Sequence, residues 1–148
     1  MTNNVPVLVV EDESDSVFLL ERAFRKAEVP NPIRAVPSVT AAIEYLTWAT
    51  EPDRKAQHPL PALILLDIKL PRKGGLEMLK WVRAHGSLHS LIVVVFTSST
   101  ARDDVLNAYR AGANSYLVKP SSLDELTEVA RDISDYWLRR NQPPIPGY

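Results

Sequence analysis

Ala62-Leu63-Ile64-Leu65-Leu66-Asp67-Ile68-Lys69-Leu70-Pro71-Arg72-Lys73-Gly74-Gly75 reads as an apolar run of strand length, one carboxylate at its end, and a turn. An apolar run without alternation suits a strand buried on both faces, the condition of a parallel sheet. In open α/β sheets ligands bind in the crevice beyond the carboxyl ends of the strands. A carboxylate placed there, Asp67, is a candidate reactive group. Val7-Leu8-Val9-Val10 is a second run of the same kind, and it ends in Glu11-Asp12.

Outward from these runs, apolar and turn residues predict strands over 5–10, 33–36, 62–66, 91–96 and 115–118. Between them, helical spacing predicts helices over 14–28, 38–49, 75–85, 101–111 and 122–140. Ser38 is a plausible N-cap, and Gly86 and Gly112 are plausible stops. Gly74-Gly75 reads as a turn into a helix, because no phosphate-loop Lys-Ser/Thr follows it. Residues 50–61 hold three prolines and predict an extended loop; residues 142–148 hold three more and predict an extended tail. Strand and helix alternate five times, which predicts a doubly wound α/β fold. The flavodoxin-like (βα)5 arrangement, strand order 2-1-3-4-5, is the expectation. One domain over 1–148 fits the length, with its core at about 5–140.

Composition narrows the function. The net charge of −1 gives no bulk attraction to nucleic acid or to an anionic membrane. The chain has no cysteine, which excludes disulfides, thiolate metal sites and a cysteine nucleophile, and fits a cytoplasmic location. No signal segment is visible, and the apolar runs fall far short of the ~20 residues a membrane helix needs. His58, His85 and His89 are scattered and suggest no ligand set.

In the 2-1-3-4-5 order, strands one and three are neighbours, and Glu11, Asp12 and Asp67 meet at one edge. Two carboxylates ~4 Å apart repel by about 4 kcal/mol at an effective dielectric of 20. Such a group takes up a proton or binds a cation. Hard oxygens without His or Cys suit Mg²⁺, with Mn²⁺ as an alternative. Strand four ends in Thr97-Ser98-Ser99 and strand five in Lys119-Pro120, which add a hydroxyl and an ammonium. A carboxylate nucleophile inside such a clamp suits phosphoryl transfer.

The pieces Val9-Val10-Glu11-Asp12, Leu65-Leu66-Asp67-Ile68-Lys69-Leu70-Pro71, Gly75, Phe96-Thr97-Ser98, Ala111-Gly112-Ala113 and Tyr116-Leu117-Val118-Lys119-Pro120 occur in this order. Together they resemble the receiver domains of two-component response regulators. The resemblance implies that Asp67 accepts a phosphoryl group from a sensor histidine kinase. It implies that Asp12 and Asp67 ligate Mg²⁺ with the Lys69 backbone carbonyl, and that Glu11 acts through a water. Lys119 would pair with the acyl phosphate, Thr97 would bond a phosphoryl oxygen, and Tyr116 would follow as the switch aromatic. The switched surface would be the fourth helix, fifth strand and fifth helix. Receivers commonly hydrolyse their own aspartyl phosphate, so the expectation is a signalling protein rather than an enzyme.

Only eight residues follow Arg140, too few for a DNA-binding output unit, so a single-domain regulator acting through protein contacts is expected. The acidic start, long loop and 67–75 stretch resemble the small regulators paired with bacterial phytochrome kinases. That likeness implies a light-responsive partner and a homodimer through the switched face, in which Tyr136 and Trp137 are further interface candidates. Lys69, two residues after the acceptor, is a long cation that could alter water access and the dephosphorylation rate. Two other functions fit less well. A phosphohydrolase of the haloacid dehalogenase type needs an Asp where Lys69 stands, and a phosphorylation-independent scaffold has no use for an intact acid cluster.

Overall fold

The computed structural model describes residues 5–70 and 74–144. Pro71, Arg72 and Lys73 of the motif and residues 145–148 of the tail lie outside that description. Five strands, β1 (Val7–Val10), β2 (Ile33–Val36), β3 (Leu63–Leu66), β4 (Val93–Thr97) and β5 (Ser115–Val118), alternate with helices α1 (Ser14–Lys26), α2 (Val39–Ala49), α3 (Gly75–Ala84), α4 (Arg102–Ala111) and α5 (Leu123–Ile133). The sheet is parallel in the order β2-β1-β3-β4-β5, the expected doubly wound flavodoxin-like topology. The central strands β1, β3 and β4 are buried at every position, while the edge strands β2 and β5 are only partly covered.

Each face of the sheet carries its own core. Leu8, Val10, Ile64 and Leu66 face α2 and α3, packing on Leu46, Met78, Leu79 and Val82. Val7, Val9, Leu63 and Leu65 face α1 and α5, packing on Leu20, Phe24, Leu126, Ala130 and Ile133. Alternate residues of one strand thus serve opposite layers, which is why these strands read as unbroken apolar runs.

Local chemistry sets the ends of the elements. Pro6 has no N–H to give a ladder, and β1 begins at the next residue rather than at Val5. Glu28 adopts φ 57°, outside the helical region, and the Val29 N–H closes the turn on the Phe24 carbonyl at 2.9 Å. Helix α1 therefore stops at Lys26, short of the expected 28. Ser38 caps α2 as expected, accepting the Ala41 N–H at 3.1 Å. Thr97 pairs with Val118 and so extends β4 by one residue beyond the expected 96. The last helix departs most from expectation. It is α-helical to Ile133 and then winds as a π-helix over Ser134–Arg140. The wider turn lets two consecutive residues, Trp137 and Leu138, both pack on the α1/α5 core.

The 50–61 connection is a chain of turns pinned to α2. The Tyr45 hydroxyl donates to the Pro59 carbonyl at 2.7 Å, and the His58 ring packs tilted against Trp48, with ring centroids 4.7 Å apart. All three tryptophans have packing roles, with Trp81 against His85 at 5.2 Å and Trp137 against the core.

Helix α3 begins hard against the end of β3. A Cβ on Gly75 would meet the Asp67 carbonyl oxygen at 2.7 Å and Ile68 Cα at 2.8 Å, both backbone atoms with little room to give. Gly74 has open space around it and an ordinary φ of −72°. Gly75→Ala should therefore destabilise the protein by about 1–3 kcal/mol in urea unfolding. Gly74→Ala should stay within about 0.5 kcal/mol of the native protein. Equal effects of the two substitutions would show that the close approach is not the reason for glycine.

Candidate functional site

The register of the sheet assembles the site. Val10 and Leu66 are partners across β1 and β3, so Glu11 and Asp67 leave the sheet side by side. The Asp67 N–H donates to the Val10 carbonyl at 3.1 Å, and the Glu11 N–H to the Val36 carbonyl at 3.1 Å. Both acids are buried, at 6% exposure for Glu11 and 8% for Asp67. Lys119 enters from the end of β5, its N–H held by the Thr97 carbonyl at 2.8 Å.

The Lys119 ammonium lies between the two carboxylates. It bonds Glu11 Oε1 directly and stands 3.0 Å from Asp67 Oδ2. The other Asp67 oxygen, Oδ1, accepts the Lys69 N–H at 2.9 Å. The other Glu11 oxygen, Oε2, accepts the Glu13 N–H at 3.3 Å. Burial pulls the Lys119 amine down, but its hydrogen bonds and charge contacts with Glu11 and Asp67 outweigh this and hold it above its ordinary value. Burial likewise pushes the Glu11 carboxyl up, against the pull of Lys119.

The ligand-forming side is more exposed. Carboxylate oxygens of Glu11, Asp12 and Glu13 all lie within 4.8 Å of one another. Three hard donors at the mouth of the crevice fit a divalent cation of the Mg²⁺ or Mn²⁺ kind. Asp67 stands outside that group, because Lys119 occupies the space between it and Glu11. Glu13 is an acid the sequence did not single out. As the residue before α1 it looks like an ordinary helix-start residue.

Thr97 is fully buried at the end of β4, and its hydroxyl has no hydrogen-bond partner among the described residues. Leaving a buried polar group unpaired costs about 1–3 kcal/mol, so such a group calls for a reason. A phosphoryl oxygen would give it one. Tyr116 is half-buried, and its hydroxyl donates to the Ser99 carbonyl at 2.9 Å. Ser98 is exposed.

Asp104, in the first turn of α4, was not legible as part of the site. It lies 2.8 Å from the Lys69 ammonium and also accepts the Ser99 hydroxyl. In sequence it is one of two acids at a helix start, where acids are common for dipole reasons alone. The hydrogen bond to Asp104 holds Lys69 above its ordinary value, and Lys69 holds Asp104 below its own.

The response regulator receiver domain family matches this chain over residues 7–131. The chain belongs to that family. It is 36% identical over 141 residues to the "Probable methanogenesis regulatory protein FilR2" of Methanothrix harundinacea (strain 6Ac), spanning 95% of this chain and 88% of that one. It is similar to the crystal structure of the phosphorylated cyanobacterial phytochrome response regulator RcpA, with a TM-score of 0.84, 29% identity, and coverage of 96% and 99% of the two chains. It is also similar to response regulator Rcp1 of Synechocystis sp. (strain ATCC 27184 / PCC 6803 / Kazusa), 31% identical over 132 residues, which are 89% of this chain and 88% of that one. The Mn²⁺-bound crystal structure of Rcp1 matches with a TM-score of 0.81 and 29% identity, covering 95% and 99% of the chains. This chain is thus a two-component receiver with the receiver fold. Among its described residues no helix is long and apolar enough to cross a membrane.

Two outcomes follow from the site. Thr97→Val removes the unpaired hydroxyl and keeps the shape, so the free protein should unfold at equal or higher urea concentration. A loss above about 1 kcal/mol would mean that the hydroxyl has a partner in solution. Lys119→Met removes the cation between two buried acids and should cost about 2–3 kcal/mol at pH 7.5, below the 3–5 of a fully buried pair because Lys119 is partly exposed. In that variant the Glu11 carboxyl loses the pull of Lys119 that opposes its burial, so it stands further above its ordinary 4.5 and its stability contribution falls as pH rises through the raised value. The native protein should keep the Lys119 contribution below that amine's ordinary value of 10.5 and lose it as pH climbs through the raised folded value. A gap between native and variant that does not widen from pH 5 to pH 8 would overturn this account.

Proposed function

We propose that Asp67 is the phosphoacceptor of a phosphorelay and that phosphorylation switches the α4–β5–α5 surface. The observation that carries this reading is the bonding of Asp67: one oxygen on the Lys69 N–H, the other on the Lys119 ammonium. That arrangement orients the carboxylate at the crevice, as a nucleophile requires. A carboxylate oxygen attacks the phosphorus of a phosphohistidine, a P–O bond forms, and the P–N bond breaks. The histidine nitrogen leaves with the electron pair and takes a proton. Lys119 then faces the new phosphoryl charge, and the Thr97 hydroxyl gains a partner.

On this reading Asp12 and Asp67, with the Lys69 carbonyl, would hold Mg²⁺ and Glu11 would act through a water; Asp67 joins that set only once the Lys119 ammonium gives up its place between Asp67 and Glu11. A divalent ion there would neutralise charge on the transferring oxygens. Water later attacks the same phosphorus, phosphate leaves and the carboxylate returns, so the chain catalyses only its own modification and reset.

The cognate donor, on this reading, is a sensor histidine kinase of the bacterial phytochrome type, supported by the likeness to RcpA. The identity to FilR2 favours a second reading, a kinase of methanogenesis control. Leu106, Tyr109 and Val118 are exposed on α4 and β5 and suit a homodimer through the switched face. A protein-contact output of this kind needs neither nucleic acid nor membrane.

Acetyl phosphate with Mg²⁺ should add one phosphoryl group to the native protein by intact mass. Asp67→Asn and chelator should each abolish it, and label retained in Asp67→Asn would show that the acceptor is wrong. In phosphotransfer profiling, a phytochrome kinase should outpace unrelated kinases. Equal rates would remove the phytochrome pairing while leaving the receiver assignment intact.

A further inference from the structure

Lys69 makes a charged link between the Asp67 strand end and α4, beside the apolar cluster that Ile68 shares with Ala108. Its main chain is fixed on the acceptor, with the N–H 2.9 Å from Asp67 Oδ1. Its ammonium reaches α4, 2.8 Å from Asp104 Oδ2. Asp104 also takes the Ser99 hydroxyl, and the Ser99 carbonyl takes the Tyr116 hydroxyl at 2.9 Å. A bonded chain therefore runs from the acceptor through Lys69, Asp104 and Ser99 to the edge strand.

We propose that Asp104 is a positioning residue that holds the Lys69 ammonium on α4 while Asp67 is free, and that a phosphoryl group on Asp67 draws that ammonium away. The inference rests on the Asp67 reading above. The competition favours exchange on charge: a phosphoryl group brings nearly two negative charges where Asp104 offers one. Asp67 already acts on the Lys69 charge from its place in the site. Neither partner is trapped by burial, since the Lys69 side chain is 57% exposed and that of Asp104 22%. Losing Lys69 does not leave Asp104 bare, because the Ser99 hydroxyl and the N-terminal end of α4 remain as partners. A modification shifts a two-state element only through a difference in its contacts between the states. Here that difference is the partner of Lys69, and what it releases is the first turn of α4 with the Ser99–Tyr116 bond.

The test is a titration with beryllium fluoride, a phosphoryl mimic, in the presence of Mg²⁺. Binding is followed by calorimetry on the native protein, Asp104→Asn, Asp104→Glu, Lys69→Met and the Lys69→Met/Asp104→Asn double variant. Asp104→Asn keeps an acceptor for Ser99 but frees Lys69. It should bind the mimic about twofold to fivefold more tightly, the range an exposed ion pair is worth. Asp104→Glu should return the affinity to the native value, and the gain should shrink in 0.5 M salt. In the Lys69→Met background, Asp104→Asn should change nothing. A gain that persists without Lys69 would overturn the proposal. So would Asp104→Asn that lowers the unfolding midpoint without moving the affinity, the mark of a merely structural pair. If the native protein binds no better than Asp67→Asn, the acceptor assignment itself fails, and the exchange falls with it.

Discussion

The pairing of Val10 with Leu66 is the constraint from which the site follows. It sets two parallel strands side by side, and each ends in an acid with nowhere to go but the same crevice. Two carboxylates buried this closely need a positive charge between them. Lys119 supplies it from a third strand. The Glu11–Lys119–Asp67 bridge is therefore a requirement of the fold, and on the proposed reading it is also the chemistry of the protein. The lysine that makes the buried acids tolerable is the one that would meet a phosphoryl group.

Asp67 is held tightly where the α4–β5 face is not. Asp67 is fixed by the Val10 carbonyl on one side and by the close start of α3 at Gly75 on the other. Its strand is buried at every position. Helix α4, by contrast, buries only Ala108 and Ala111, and β5 is a partly covered edge. Small side chains give little packing energy, so the first turn of α4 depends on polar contacts such as Asp104 with Lys69 and Ser99. Elements held this way occupy the low-stability end of a fold, where a change of one charge can move them. The unpaired Thr97 hydroxyl fits the proposed reading, on which a small penalty in the free state would become a gained bond when a phosphoryl group arrives.

The likeness to RcpA, Rcp1 and FilR2 spans nearly the whole chain at about a third identity or less. RcpA and Rcp1 share the fold that carries this site. Within that frame the pairing of Lys69 with Asp104 is a feature of these particular residues, and it links the acceptor to the surface by a route separate from Thr97.

By itself the sequence determined the class of fold, the strand order, and the meeting of Glu11, Asp67 and Lys119 at one edge of the sheet. It could do so because unbroken apolar runs, helical stripes and strand-end polar residues are local patterns, and right-handed crossovers leave few ways to arrange them. Helix ends were legible where a capping serine or a left-handed glycine marks them, as at Ser38 and Gly112, and not where a non-glycine residue takes the positive φ, as at Glu28. The π-helical turn after Ile133 was invisible, because the apolar stripe through Trp137 fits an ordinary helix equally well. Only the tertiary structure decided who bonds whom: that Lys119 separates Glu11 from Asp67, that Glu13 rather than Asp67 groups with Glu11 and Asp12, and that Asp104 receives Lys69. Those pairings depend on the distances between elements far apart in the chain, and a string of residues carries no record of such distances.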